Sequence, residues 1–158
     1  MINLGPPSDS IKRALPIALL AAAPDTTIHG RTRFQKLVFL LQEGDLIDQP
    51  SLPDEQSYEY IAHNYGPYST ELDDWLSRLH RNNVITIITT ETAAGNTRDV
   101  FTLNRTALSK TSLIKGDPTD ELTNRVETTI SKYNDVPVLE LLDRVYTAYP
   151  PYAKHVHM

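Results

Sequence analysis

The stretch His63–Ile85, HNYGPYSTELDDWLSRLHRNNVI, decides the fold. It reads as a strand end, a tight Gly66-Pro67 turn, a capped helix and entry into a new strand. Leu72, Trp75, Leu76 and Leu79 fall at i, i+3, i+4 and i+7, the spacing of one helical face. Ser69 is a cap residue, and Glu71 lies in the first turn, where the helix dipole favours a carboxylate. Asn82-Asn83 is a stop signal before the β-branched run from Val84. A capped helix running straight into a hairpin predicts the third helix and wing of a winged helix-turn-helix.

The flanking segments extend this reading. Residues 1–7 hold Gly5-Pro6-Pro7 and form a lead-in. Asp9 or Ser10 caps a first helix reaching Ala23, with Ile11, Leu15, Ala18, Leu19 and Ala22 on one face. Pro16 either kinks that helix or marks its first turn. Thr32 and Gln35 have the spacing of a capping box for a second helix, and Gly44 stops it. Its run of Phe34, Leu37, Val38, Phe39, Leu40 and Leu41 predicts burial on most sides. Asp45–Gln56 is a loop or a short helical turn. Ser57–His63 alternates weakly and reads as a strand. Val84–Thr90 and Thr97–Leu103 flank Ala94-Gly95-Asn96, which is hairpin chemistry.

Beyond the hairpin, Asn104 can cap a short helix to about Lys115. Asp117-Pro118 starts a helix to about Tyr133, with Leu122, Val126 and Ile130 inward. A last helix carries Val138, Leu141, Leu142, Val145 and Tyr149 on one face, and Pro150-Pro151 ends it. The fold class expected is therefore α+β: a winged-helix core over residues 8–104, with a β-hairpin wing and a C-terminal helical extension over 105–158.

Composition limits function. The chain has 158 residues, no cysteine and a net charge of −5. Disulfides, thiolate zinc sites and cysteine nucleophiles are excluded, and a reducing cytoplasm fits. The start, MINLGPPSDSIKR, lacks the basic and apolar regions of a secretory signal. The longest apolar run, Leu15–Ala23, is too short to span a membrane. Up to Asn104 eight basic residues face thirteen acidic ones, whereas the two signs balance afterwards. A net deficit of cations argues against nucleic acid or anionic membrane as a partner.

Three blocks resemble a known group. RTRFQKLVFLLQEG (Arg31–Gly44), the opening stretch and LLDRVYTAYPPYAKHV (Leu141–Val156) resemble signature blocks of small archaeal and bacterial proteins. These are similar in layout to Panacea-type antitoxin domains, with a "KLQKL" helix and a "GP" turn. The resemblance implies a winged-helix-like domain, in a DNA-binding regulator or in an antitoxin-like protein that holds another protein.

Function then rests on two sets of residues. A non-enzymatic DNA-binding transcriptional regulator would place Arg31, Arg33 and Lys36 on phosphates, near a helix start with free N–H groups. Arg78, Arg81 and Arg98 would lie near the duplex. The acids Glu71, Asp73 and Asp74 at the start of the third helix would repel phosphate. Arg31, Arg33 and Lys36 could instead pair with the acids of Asp45–Glu55. The alternative is an adaptor or antitoxin-like module that binds protein through Tyr65, Tyr68, Asp73 and Asp74, while the C-terminal helical subdomain completes the core or forms a homodimer contact. Packing of the two tyrosines on Phe34 or Phe39 is the structural alternative for that turn. No nucleophile elbow, carboxylate pair or phosphate loop points to an enzyme, and no cofactor is implied. His63 near Asp73 could suggest a general base, and His155-x-His157 a loose metal pair, but neither has a third partner.

Overall fold

A computed structural model describes residues 7–104, 106 and 120–155. The chain is an α+β protein. Helix α1 spans Ser10–Ala22, strand β1 Thr27–His29, and α2 Arg31–Glu43. A small hairpin, β2 (Ile61–His63) and β3 (Gly66–Tyr68), precedes α3 (Thr70–Arg81). A longer hairpin follows, β4 (Ile85–Glu91) and β5 (Thr97–Leu103). The chain closes with α4 (Asp120–Tyr133) and α5 (Val138–Ala148). The first sheet has the order β1-β5-β4, all antiparallel, with Ile28 opposite Phe101 and Ile87 opposite Phe101 on its other side. One apolar cluster joins α1, α2, α3, the inner sheet face, α4 and α5.

Helix α3 forms as its sequence predicts. The Ser69 hydroxyl accepts from Leu72 N at 3.1 Å, and Leu72, Trp75, Leu76 and Leu79 are buried. Asn82 caps its end and Asn83 adopts a left-handed conformation. Gly44 ends α2 in the left-handed region (φ 85°). A Cβ there would stand 2.3 Å from Gln49 O, so only glycine fits.

Pro16 lies inside α1, which starts with the Asp9 carboxylate accepting from Ile11 N and Lys12 N. Proline lacks an N–H, so the carbonyl four residues earlier, Lys12 O, loses its helical donor. The Tyr58 hydroxyl takes that place at 2.7 Å, and Trp75 Nε1 donates to the next carbonyl, Arg13 O, at 3.0 Å. The break in α1 thus ties it to the loop before β2 and to α3.

Three sequence expectations change, and one strand is added. Gly66-Pro67 is not the turn: it forms β3, and Asn64-Tyr65 makes the bend between His63 and Gly66, which pair. Ser57–Tyr60 is not strand, because the Gln42 side chain supplies both backbone bonds of Tyr58, accepting from its N at 2.8 Å and donating to its O at 2.9 Å. Thr32 and Gln35 form no capping box: Gly30 is the N-cap and no side chain caps α2. Strand β1 went unpredicted, since three residues are too few to show alternation. The helix expected over Asn104–Lys115 and the Asp117-Pro118 start lie outside the described residues. Among the described residues no helix is long and apolar enough to cross a membrane.

If Tyr58 replaces the donor that Pro16 lacks, the two residues are energetically coupled. Tyr58→Phe is expected to lower stability by about 1–2 kcal/mol in the native chain, because a buried carbonyl loses its partner. In a Pro16→Ala background the new N–H can take Lys12 O, and the cost of Tyr58→Phe is expected to fall by about half or more. A urea-unfolding double-mutant cycle checks this, and strict additivity would contradict it.

Candidate functional site

Four of the residues that sequence reading singled out, Arg31, Lys36, Tyr68 and Asp73, converge where α2, β3 and the start of α3 meet. Helix α2 is so deeply packed that Gln35, Lys36 and Gln42 are buried with its apolar residues. A buried polar group must find a partner inside the protein. Gln35 Oε1 accepts from Ser69 N at 2.9 Å, while its Nε2 donates to Ser69 O at 2.9 Å and Asp73 Oδ1 at 3.2 Å. Lys36 Nζ donates to Pro67 O at 2.9 Å. The Tyr60 hydroxyl donates to Gln35 O at 2.8 Å. No buried side-chain polar atom among the described residues lacks a partner.

Asp73 is the centre of charge here. One oxygen accepts from Arg31 at 2.8 Å and from Gln35, and the other from the Tyr68 hydroxyl. Arg31 also donates to Asp99 Oδ2 at 2.9 Å and lies over the Phe101 ring. Burial works against the Arg31 charge, but the hydrogen bonds it donates to Asp99 and Asp73 outweigh it and hold its pKa above the ordinary value. Asp99 is held below the usual carboxylate range: burial opposes this, and bonds from Thr89 and Arg31 overcome it.

The six cations assigned to DNA therefore have different fates. Lys36 is 1% exposed and cannot reach a phosphate, which corrects that assignment. Arg33 donates to the carbonyls of Asn134 and Val136, at 2.8 and 2.6 Å, after the end of α4, and burial lowers its pKa. Arg31 pairs with Asp73 and Asp99, not with the acids of Asp45–Glu55. Arg78 pairs with Asp74 at 3.1 Å, one turn earlier on α3. Arg81 and Arg98 are exposed. The partner-facing set also divides. Asp73 is turned inward and Tyr68 is half-buried against it, whereas Tyr65 stands 63% exposed at the tip of the β2–β3 hairpin. Neither tyrosine packs on Phe39, whose ring neighbours are Tyr60, Tyr149 and Tyr152.

The His63 ring lies 5.1 Å from that of Tyr68, which itself bonds Asp73. Among the described residues no three His, Asp or Glu side chains gather as a metal set. The His155 side chain and His157 lie outside the described residues. Sequence reading missed Gln35 and Gln42 as polar anchors and Asp99 as a partner of Arg31. The only available signal was polar residues amid an otherwise apolar helix. No protein-family model matches the chain, and no curated protein does.

Two measurements follow from this geometry. Asp73→Asn removes the charge that pairs with Arg31 and leaves one acceptor oxygen where Arg31, Gln35 and Tyr68 use two, and is expected to cost about 2–3 kcal/mol. Asp74→Asn removes one surface pair and is expected to cost ~0.5 kcal/mol. Equal losses in urea unfolding would contradict the difference. Burial pushes the Lys36 ammonium down to about 7, with Asp73 opposing. The unfolded lysine titrates near 10.5, so between those values the unfolded chain binds more protons. Stability is expected to rise from pH 7 towards pH 9.5, and Lys36→Met should flatten that rise. Above pH 10 the trend reverses, because burial holds Tyr58 and Tyr60 protonated well above the ordinary phenol range. Parallel pH curves for both proteins would refute a desolvated Lys36.

Proposed function

We propose that this chain is a cytoplasmic winged helix-turn-helix protein that acts, without catalysis, by holding another protein. The order α1-β1-α2-α3-β4-β5 with sheet order β1-β5-β4 supports the winged-helix reading. Helix α3 then takes the recognition-helix position and β4–β5 the wing. Residues 8–104 form the winged-helix core, and α4 and α5 pack on it. A DNA reader joins its second and third helices by a short turn. Here residues 44–69, with their own hairpin, intervene.

The observation that carries the protein-holding reading is the occupation of the cations. Arg31, Arg33, Lys36 and Arg78 each bond an acid or carbonyl of this same chain. Phosphate binding would have to displace those partners, whereas a protein surface would not. The β2–β3 hairpin instead offers apolar side chains to solvent, with Ile61 56% and Tyr65 63% exposed. Aromatic side chains of this kind anchor protein interfaces.

The second reading is a DNA-binding regulator, favoured by the exposure of Arg81 at the end of α3 and Arg98 on β5. Fluorescence anisotropy with a 30-base-pair duplex separates the two. The protein-holding reading expects no binding tighter than ~1 μM at 50 mM salt, the range of weak non-specific contact. Tighter binding that falls steeply with salt would transfer the function to DNA. A photo-crosslinking residue at position 65 is expected to join the chain to one protein in native cells. Ile61→Ser should cut that adduct about tenfold, as expected for loss of a buried aliphatic anchor.

A further inference from the structure

A groove of about 720 Å³ lies between the start of α1, the turn before β2 and the start of α3. Its exposed apolar surface comes from Ile61 and half-buried Tyr68, beside the buried Tyr58, and Asp54, Glu59 and Glu71 also line it. Lys12, the one cation lining it among the described residues, is already engaged. Lys12 Nζ lies 2.5 Å from Glu71 Oε2 and 5.2 Å from the centre of the Tyr58 ring. Glu71 Oε1 also accepts from Glu59 N at 3.3 Å. Asp54 and Glu59 are exposed and have no ion pair among the described residues.

We propose that this groove docks a basic segment of the partner protein, one in which lysine or arginine alternates with an apolar side chain. The inference rests on the protein-holding reading and names the chemistry of the partner. Charge complementarity selects the occupant. Two unpaired carboxylates beside an open apolar surface attract a cation that also brings apolar area, and they repel phosphate. Lys12 shows the mode of binding within the chain itself: an ammonium held by a carboxylate and laid over a tyrosine face. A basic segment would repeat that arrangement at Asp54 and Glu59 while covering Ile61. At the start of α3 the Ser69 hydroxyl already takes Leu72 N, and the first-turn acids Glu71 and Asp73 disfavour a competing anion there.

The test uses the full chain and a fluorescein-labelled peptide of alternating arginine, leucine and lysine, followed by anisotropy at 50 mM salt. The peptide is expected to bind the native chain. The double variant Asp54→Asn/Glu59→Gln should weaken it about tenfold, as two modest ion pairs would. Lys12→Gln vacates Glu71 and should tighten binding about threefold. Lys132→Gln makes the same change in net charge at an exposed position of α4 and should leave binding unchanged. Equal tightening by Lys132→Gln, or competition by spermine as effective as that of unlabelled peptide, would show attraction to bulk charge and overturn the inference. Failure of the peptide to bind would overturn it too. A protein captured at position 65 in that case leaves the protein-holding reading standing, so the two failures can be told apart.

Discussion

Burial of α2 is the constraint on which the rest of the structure depends. A helix enclosed on nearly all sides cannot leave its polar side chains to water, so each must bind a neighbouring backbone. Gln42 takes both groups of Tyr58, Gln35 both groups of Ser69, and Lys36 the carbonyl of Pro67. These three side chains fasten the irregular segment between α2 and α3 along the helix. In return Arg125 of α4 donates to Leu41 O at 2.9 Å and to Pro50 O, and Tyr133 to Leu46 O at 2.7 Å. The same bonds that permit burial therefore set the position of α3 and of the C-terminal helices.

This explains which features were legible in the sequence. Helix α3 was readable because its cap, its apolar stripe and its stop residues are local and agree with one another. Strand β5 was readable because β-branched residues and a Gly95 turn are local as well. The segment Ser57–Tyr60 was misread as strand because its backbone partner is a side chain sixteen residues away, which no periodicity reports. Gln35 was misread as a cap for a related reason. Its spacing to Thr32 fits a local bond, but α2 starts at a glycine with φ 100° and Gln35 is drawn to Ser69 instead. Where short-range and long-range partners compete for one amide, burial favours the long-range one, because the local alternative leaves Ser69 unsatisfied.

The candidate site was half legible for the same cause. Arg31, Lys36, Tyr68 and Asp73 were picked out by residue type, and they do come together. What the sequence could not show is that they neutralise one another. A charge pattern read along the chain treats Asp73 as a repulsive face and Arg31 as a free cation. In three dimensions the two form one pair, backed by Tyr68 and Asp99. The acidic surplus that remains is carried by other residues, and the groove beside α1 gathers part of it.

The stretches Arg31–Gly44, His63–Ile85 and Leu141–Val156 meet at a single residue. A Cβ on Gly66 would stand 3.1 Å from Lys36 Cε, 3.3 Å from Tyr146 Cε1 and 3.4 Å from Leu142 Cδ2. Lys36 belongs to the first stretch, Gly66 to the second, and Leu142 and Tyr146 to the third. Gly66 also has φ 88°, a conformation in which side chains are strained. Glycine at this position, a lysine beneath it and an aromatic residue above it are thus parts of one packing requirement. These contacts follow from enclosing α2. Ile61, Asp54 and Glu59 take no part in this packing: their side chains stay exposed, and the enclosure of α2 places no demand on them.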